Sequence, residues 1–162
     1  MKRMSLFIAA GSAALCFAAL AKEAKAPKAE AVSINADDLK WEDAPAAFPK
    51  GAHLAVLHGN PFAKGLFALR FKMPDGYKIQ PHWHTQAEEL TILSGTFLLH
   101  MGDTMDAAAH SLSAGAYHFL PARMHHSAEA KGEVVLELHG MGPFDIHYLN
   151  AADDPTKAAA AK

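Results

Sequence analysis

Residues 81–95 read Pro81-His82-Trp83-His84-Thr85-Gln86-Ala87-Glu88-Glu89-Leu90-Thr91-Ile92-Leu93-Ser94-Gly95. Two histidines and two acids stand directly before an apolar, strand-like run. Burying such groups is costly unless something neutralises or ligates them. Residues i and i+2 of a strand point to one face, so His82 and His84 can offer two imidazoles to one ion. Glu88 follows after a short Thr85-Gln86-Ala87 corner. If a strand begins there, Glu88, Leu90 and Ile92 share a face, and Glu89 turns outward with Thr91. The opposite parity would bury Thr91 and expose Leu90 and Ile92. Parity therefore selects Glu88 as the candidate ligand and Glu89 as a solvated neighbour.

A further nitrogen has to come from elsewhere. Pro121-Ala122-Arg123-Met124-His125-His126 is a turn that delivers two adjacent histidines. Neighbours on a strand face opposite ways, so one of the two can enter the interior.

The remaining sequence bounds the frame around these residues. With 162 residues the chain suits one domain. Residues 1–21 read as a secretory signal peptide: Lys2 and Arg3 are positive, Leu6 to Ala18 is short and apolar, and Ala19-Leu20-Ala21 offers a cleavage site after Ala21. That reading places the mature protein in the periplasm or outside the cell. The single cysteine, Cys16, falls inside this segment, with Leu15 where a lipoprotein signal has a small residue. The mature chain then has neither a disulfide nor a thiolate metal site, and any metal must bind through nitrogen and oxygen. Without Lys2 and Arg3, 13 basic residues face 17 acidic ones, a net charge of −4. There is no basic stripe, which argues against nucleic acid as a partner. All 11 histidines lie beyond residue 50.

Residues 22–37 read as a flexible linker rich in Ala, Lys and Glu, residues 38–150 as the domain, and residues 151–162 as a polar tail that frays. Inside the domain, short apolar runs alternate with turn signals, the pattern of an all-β sandwich or barrel. The expected strands are Leu54 to Leu57, Leu66 to Phe71, Tyr77 to Trp83, Leu90 to Leu93, Thr96 to Met101, Ala116 to Leu120, a hairpin of His125 to Ala130 and Val134 to His139 about a Lys131-Gly132 turn, and Phe144 to Leu149. Single helical turns are expected within Asp38 to Ala47 and Met105 to His110. The total of about eight short strands suggests a jelly roll or related barrel.

The spacing resembles the cupin superfamily. Its first motif is Gly, five residues, His-x-His, three or four residues, Glu, six residues, Gly, matched by Gly76, His82, His84, Glu88 and Gly95. Its second is Gly, five residues, Pro-x-Gly, two residues, His, three residues, Asn. Gly115, Pro121 and His126 fit it, whereas Arg123 stands at the second glycine and Ala130 at the Asn. The framing segments Ala46-Ala47-Phe48-Pro49, Gly142-Pro143-Phe144 and Ala152-Asp153-Asp154-Pro155 look like those of small exported cupins of unassigned activity. The resemblance implies a single-domain jelly-roll β-barrel holding one metal through His82, His84, Glu88 and His126, and a homodimer. Imidazole and carboxylate together suit Fe, Mn, Ni, Cu or Zn with positions left open.

Arg123 should reshape its turn, since arginine does not take a positive φ cheaply. It stands either at the barrel mouth beside an anionic substrate or in solvent. His125 should face away from the metal and Trp83 outward. Tyr117, His100, His139 and His118 are further candidates for polar groups near the site. No catalytic general base is identifiable. Two functions follow: a metal-dependent enzyme acting on a small organic molecule (dioxygenase, decarboxylase, lyase or isomerase), or a non-catalytic module that binds metal or a small ligand. Convergent polar groups on the inner wall would favour the first; a wholly apolar wall would favour the second. Neither needs a membrane once the signal is removed.

Overall fold

The computed structural model describes residues 30–106 and 108–160. The expected signal peptide, residues 22–29 of the linker, Ala107 and residues 161–162 lie outside the described residues. All the elements below belong to the unit Val32–Lys162.

Among the described residues, nine antiparallel strands carry the fold: β1 (Glu42–Asp43), β2 (His53–His58), β3 (Gly65–Met73), β4 (Lys78–Trp83), β5 (Glu88–Met101), β6 (His110–Ser113), β7 (Tyr117–Leu120), β8 (His126–Gly142) and β9 (His147–Tyr148). Two long strands organise the rest. β5 and β8 pair along most of their length, from Glu88↔Gly140 to Met101↔His126. The second half of β8 also pairs with β3, and the first half of β5 with β7. The first half of β8 also pairs with β4, and the second half of β5 with β6. Two sheet halves thus share β5 and β8 and curl over one another as a cupin jelly roll.

The curl comes from a joint irregularity. The β5–β8 register shifts between Ile92 and Ser94 and again between Ser94 and Thr96. Gly95 takes φ +79° there, and a Cβ on it would stand 2.3 Å from the Glu133 carbonyl oxygen. Only glycine meets both demands. The inner faces of both halves are aliphatic and aromatic, with Leu69, Ile92, Leu99 and Val134 almost wholly buried. Full burial of each such side chain contributes about 1.5–3 kcal/mol.

Several expectations change. Ser94-Gly95, expected between two strands, and Lys131-Gly132, expected as a hairpin turn, are bends inside the single long strands β5 and β8, which pair with each other on both sides of the bend. β6 fell in a segment where no strand was expected, and His110 opens it rather than closing a helical turn. The run Phe144 to Leu149 forms strand only at His147–Tyr148. The stretch Asp38 to Ala47 holds β1 and a hydrogen-bonded turn at Ala46-Ala47, and a 3-10 turn, Ala36–Asp38, ends at its first residue. The tail forms a 3-10 turn, Ala151–Asp153, and then helix α1 (Pro155–Ala160). Asp154 starts α1 by accepting from the Thr156 N–H at 3.0 Å and from its hydroxyl at 2.6 Å, with proline at the first helical position.

Candidate metal centre

His82 and His126 are cross-strand partners on β4 and β8, so their side chains leave the sheet on one face. His84 lies just past the end of β4, and Glu88 opens β5. Alternation along β5 buries Glu88, Leu90 and Ile92 and leaves Glu89 exposed. The ring centroids of His82 and His126 are 4.2 Å apart, those of His82 and His84 4.9 Å, and those of His84 and His126 5.2 Å. One donor nitrogen from each lies within 4.8 Å of the others. Glu88 Oε2 stands 3.5 Å from His84 Nε2 and 3.7 Å from His126 Nε2. Ligand bonds of 2.0–2.2 Å separate neighbouring donors by about 3.0–3.5 Å around one ion, so the carboxylate lies near ligand spacing from His84 and His126, while among the described residues the three histidines alone form the group whose donor atoms all lie within 4.8 Å of one another.

The protonation pattern is built in. His82 Nδ1 lies 2.7 Å from the Gln80 carbonyl, His126 Nδ1 3.0 Å from that of Met124, and His84 Nδ1 bonds the carbonyl of Asp145. A carbonyl only accepts, so each Nδ1 carries the proton and each Nε2 keeps its lone pair. Burial lowers the pKa of all three imidazoles, His82 well below the ordinary range and His84 to about 4, which keeps them neutral and able to ligate. Burial also raises Glu88 to about 7, against the pull of His126. Three oriented neutral imidazoles beside one buried carboxyl fit a divalent transition metal.

Behind the ligands lies a set of polar groups that strand patterns alone did not reveal. Asp145 accepts from the Thr85 N–H at 2.8 Å, and its other carboxylate oxygen is 3.1 Å from His147 Nε2. The His147 ring stacks on Trp83 with centroids 4.1 Å apart. Pro143 and Phe144, just before Asp145, are among the framing residues of the cupin resemblance and mark where these groups arise.

The other expected pocket residues lie elsewhere. The cavity wall is apolar apart from His82, His84, Glu88 and His126. Tyr117 is exposed, because its cross-strand partner Thr91 belongs to the outer face of β5. His139 pairs with the exposed Glu89 and likewise faces outward. His100 follows Leu99, which lines the cavity, and so points to the other side of the sheet. His118 differs from these: it pairs with the wall residue Leu90 and so shares the inner face, close enough to help lower the His126 pKa, although it does not line the cavity itself. Arg123 is exposed, with its guanidinium 5.1 Å above the Trp83 ring. Its turn is not reshaped: Arg123 takes φ +62°, the conformation expected of the missing glycine, and donates its N–H to the His84 carbonyl at 2.9 Å. His125 turns away from the ligands and pairs with Asp103 at 2.7 Å.

The comparisons agree with this architecture. The family model described as a domain of unknown function, DUF4437, matches residues 7–147. None of the curated proteins matches the sequence. Among solved structures, the polyketide cyclase RemF of Streptomyces resistomycificus is similar at a TM-score of 0.67 and 17% identity, covering 81% of this chain and 94% of that one. A Methylibium petroleiphilum protein, named for a proposed acetylacetone dioxygenase activity, is similar at a TM-score of 0.61 and 21% identity, covering 83% and 96%. An RmlC-like cupin from Shewanella frigidimarina is similar at a TM-score of 0.54 and 18% identity, covering 71% and 94%. At these identities the likeness is one of fold. By its barrel the chain has the cupin fold, and it belongs to the DUF4437 family.

Proposed function

We propose that this chain is an exported, metal-dependent cupin enzyme acting on a small organic molecule, with dioxygenation the reaction class its interior favours. The observation that carries the reading is the triple lock of His82, His84 and His126, each with Nδ1 on a backbone carbonyl and Nε2 free for the centre. Such a centre, loaded with Fe, Mn, Ni, Cu or Zn, would supply Lewis-acid or redox chemistry at its open positions. The chain's own contribution is to orient the donors, exclude water with an apolar wall and keep the imidazoles neutral. Decarboxylation, lyase and isomerase chemistry call on side chains that move protons. Besides the imidazoles, the wall offers only Glu88, which sits against two of them. Dioxygenation asks least of such a wall. Export rests on the apolar stretch and Ala19-Leu20-Ala21 in the first 21 residues. Among the described residues no helix is long and apolar enough to cross a membrane.

The same apolar wall supports a second reading, a non-catalytic binder of metal or of a small ligand. Oxygen-electrode measurements on metal-loaded protein, with a panel of small enols and carboxylates, separate the two. Substrate-dependent oxygen uptake that vanishes in His126→Ala supports the enzyme. Stoichiometric ligand binding with no turnover across the panel would replace it with the binder.

A further inference from the structure

The cavity beside the four polar groups measures about 40 Å³. A dry apolar cavity that takes up benzene measures about 150 Å³. A molecule with an organic body therefore needs a wall that yields. Most of the wall stands on strands: Phe71 on β3, Leu99 on β5 and Leu138 on β8 are held by sheet ladders on both sides, and Ile79 on β4 is paired with β8 on one side. Two aromatic wall residues stand off the strands, Phe48 and Phe144. Phe144 stacks on the His84 ring at 4.7 Å, and its N–H bonds the Pro61 carbonyl at 2.6 Å, so moving it disturbs a ligand.

Phe48 is held differently. It rides on the loop between β1 and β2, closed at its base by the Ala44 N–H on the Ala52 carbonyl at 3.0 Å, and its own N–H bonds the Pro45 carbonyl at 2.8 Å within that loop rather than a neighbouring element. The Tyr77 hydroxyl donates to the Pro49 carbonyl at 2.6 Å and the Tyr148 hydroxyl to that of Ala47 at 2.9 Å, one on each side of Phe48. Its ring meets those of Phe71 at 5.2 Å and Phe144 at 6.4 Å, contacts that are apolar and reversible. Burial raises both tyrosine pKa values above the ordinary phenol range, so both remain donors.

Building on the metal-dependent reading above, we infer that Phe48 is the movable wall that sets ligand size, and that the ligand is a small molecule with one oxygen-donor end and an apolar body. The head has only the metal-ligand set to recognise it, since the rest of the wall is apolar. Nitrogen and carboxylate ligands suit a metal that takes oxygen donors. The body must fill the space that Phe48 vacates.

Two arms test this. In the first, chelator-treated wild type, Phe48→Ala and Tyr148→Phe are titrated with benzene and followed by thermal midpoint. Benzene is expected to raise the midpoint of Phe48→Ala and to leave wild type unmoved; an equal response in both would overturn the role of Phe48. In the second, Co(II)-loaded proteins are titrated with straight-chain hydroxamates from acetohydroxamate to octanohydroxamate, followed by visible absorption. Wild type is expected to lose at least about tenfold in affinity across the series, and Phe48→Ala to lose that length dependence. Tyr148→Phe, which keeps the wall and removes one tether, is expected to bind octanohydroxamate at least about threefold faster. An unchanged length dependence in Phe48→Ala would overturn the inference. Failure of Co(II) uptake beside a positive benzene arm would remove the metal reading and the oxygen-donor end while supporting Phe48 as the movable wall.

Discussion

The Asp145 backbone carbonyl accepts the Nδ1 proton of His84 across 61 residues of sequence, and the Asp145 carboxylate holds the N–H of the next residue, Thr85. One residue therefore fixes both the ring and the main chain of the turn that carries a ligand. Groups behind metal ligands typically govern affinity by 10–100-fold. Asp145→Ala should weaken Co(II) binding by about that factor and shift the Co(II) visible bands, while Asp145→Asn, which keeps an acceptor for Thr85, should recover most of the loss. Competition with a chromophoric chelator measures both. Equal affinity in all three proteins would remove Asp145 from the centre.

The pKa shifts give the metal-free protein a pH dependence whose sign follows directly. Each histidine of the centre lies below its ordinary value of 6.5, and His84 falls to about 4. Their contribution is complete above pH 6.5 and is lost as pH falls, through about 4 for His84. Glu88 opposes them: raised from 4.5 to about 7, its contribution is present below 4.5 and lost as pH rises through 7. With three groups against one, chelator-treated protein should be less stable at pH 5 than at pH 6.5 by about 1–3 kcal/mol. Urea denaturation at the two pH values checks this; equal or greater stability at pH 5 would contradict it.

Gly95 holds the bend that folds one sheet half over the other. A methyl group there meets both the positive φ and the Glu133 carbonyl oxygen. Gly95→Ala should cost at least about 2 kcal/mol, read as a fall in the urea midpoint. A loss below about 0.5 kcal/mol would show that the bend tolerates a side chain.

Arg123 holds a left-handed conformation that costs a non-glycine residue about 1–2 kcal/mol. Arg123→Gly relieves that cost but loosens the unfolded chain and removes the cation from Trp83. The balance should stay within about 1 kcal/mol of wild type by these terms. Arg123→Ala keeps the strain and loses the cation, so it should be the less stable of the two. Neither change should alter carboxylate binding at the centre, because Arg123 is not part of the cavity wall. Weaker acetate binding in either variant would bring Arg123 back to the mouth.

The parts of this structure set by alternation were legible in the sequence. His82 with His84, and Glu88 with Leu90 and Ile92, declare their faces through period two, and the structure brings those residues together as that pattern demands. The same rule, applied outward from Leu99 and Leu138, would have turned His100 and His139 away from the cavity. Strand lengths were harder to read. Ser94-Gly95 and Lys131-Gly132 have the chemistry of turns, and only the long-range pairing of β5 with β8 makes them bends. Phe48, Phe144 and Asp145 reach the centre from loops, where no period announces a side chain's direction. Arg123 shows tertiary pairing overriding a local preference: its N–H bond to His84 holds a conformation that arginine seldom takes.

Metal content of the chain and of its His126→Ala variant, by elemental analysis after purification from the native compartment, tests the central claim most directly. The account predicts one divalent transition metal per wild-type chain and a loss of affinity well beyond tenfold on removal of the His126 imidazole. A wild-type protein that takes up no transition metal, or a variant that binds it with undiminished stoichiometry and affinity, would contradict it.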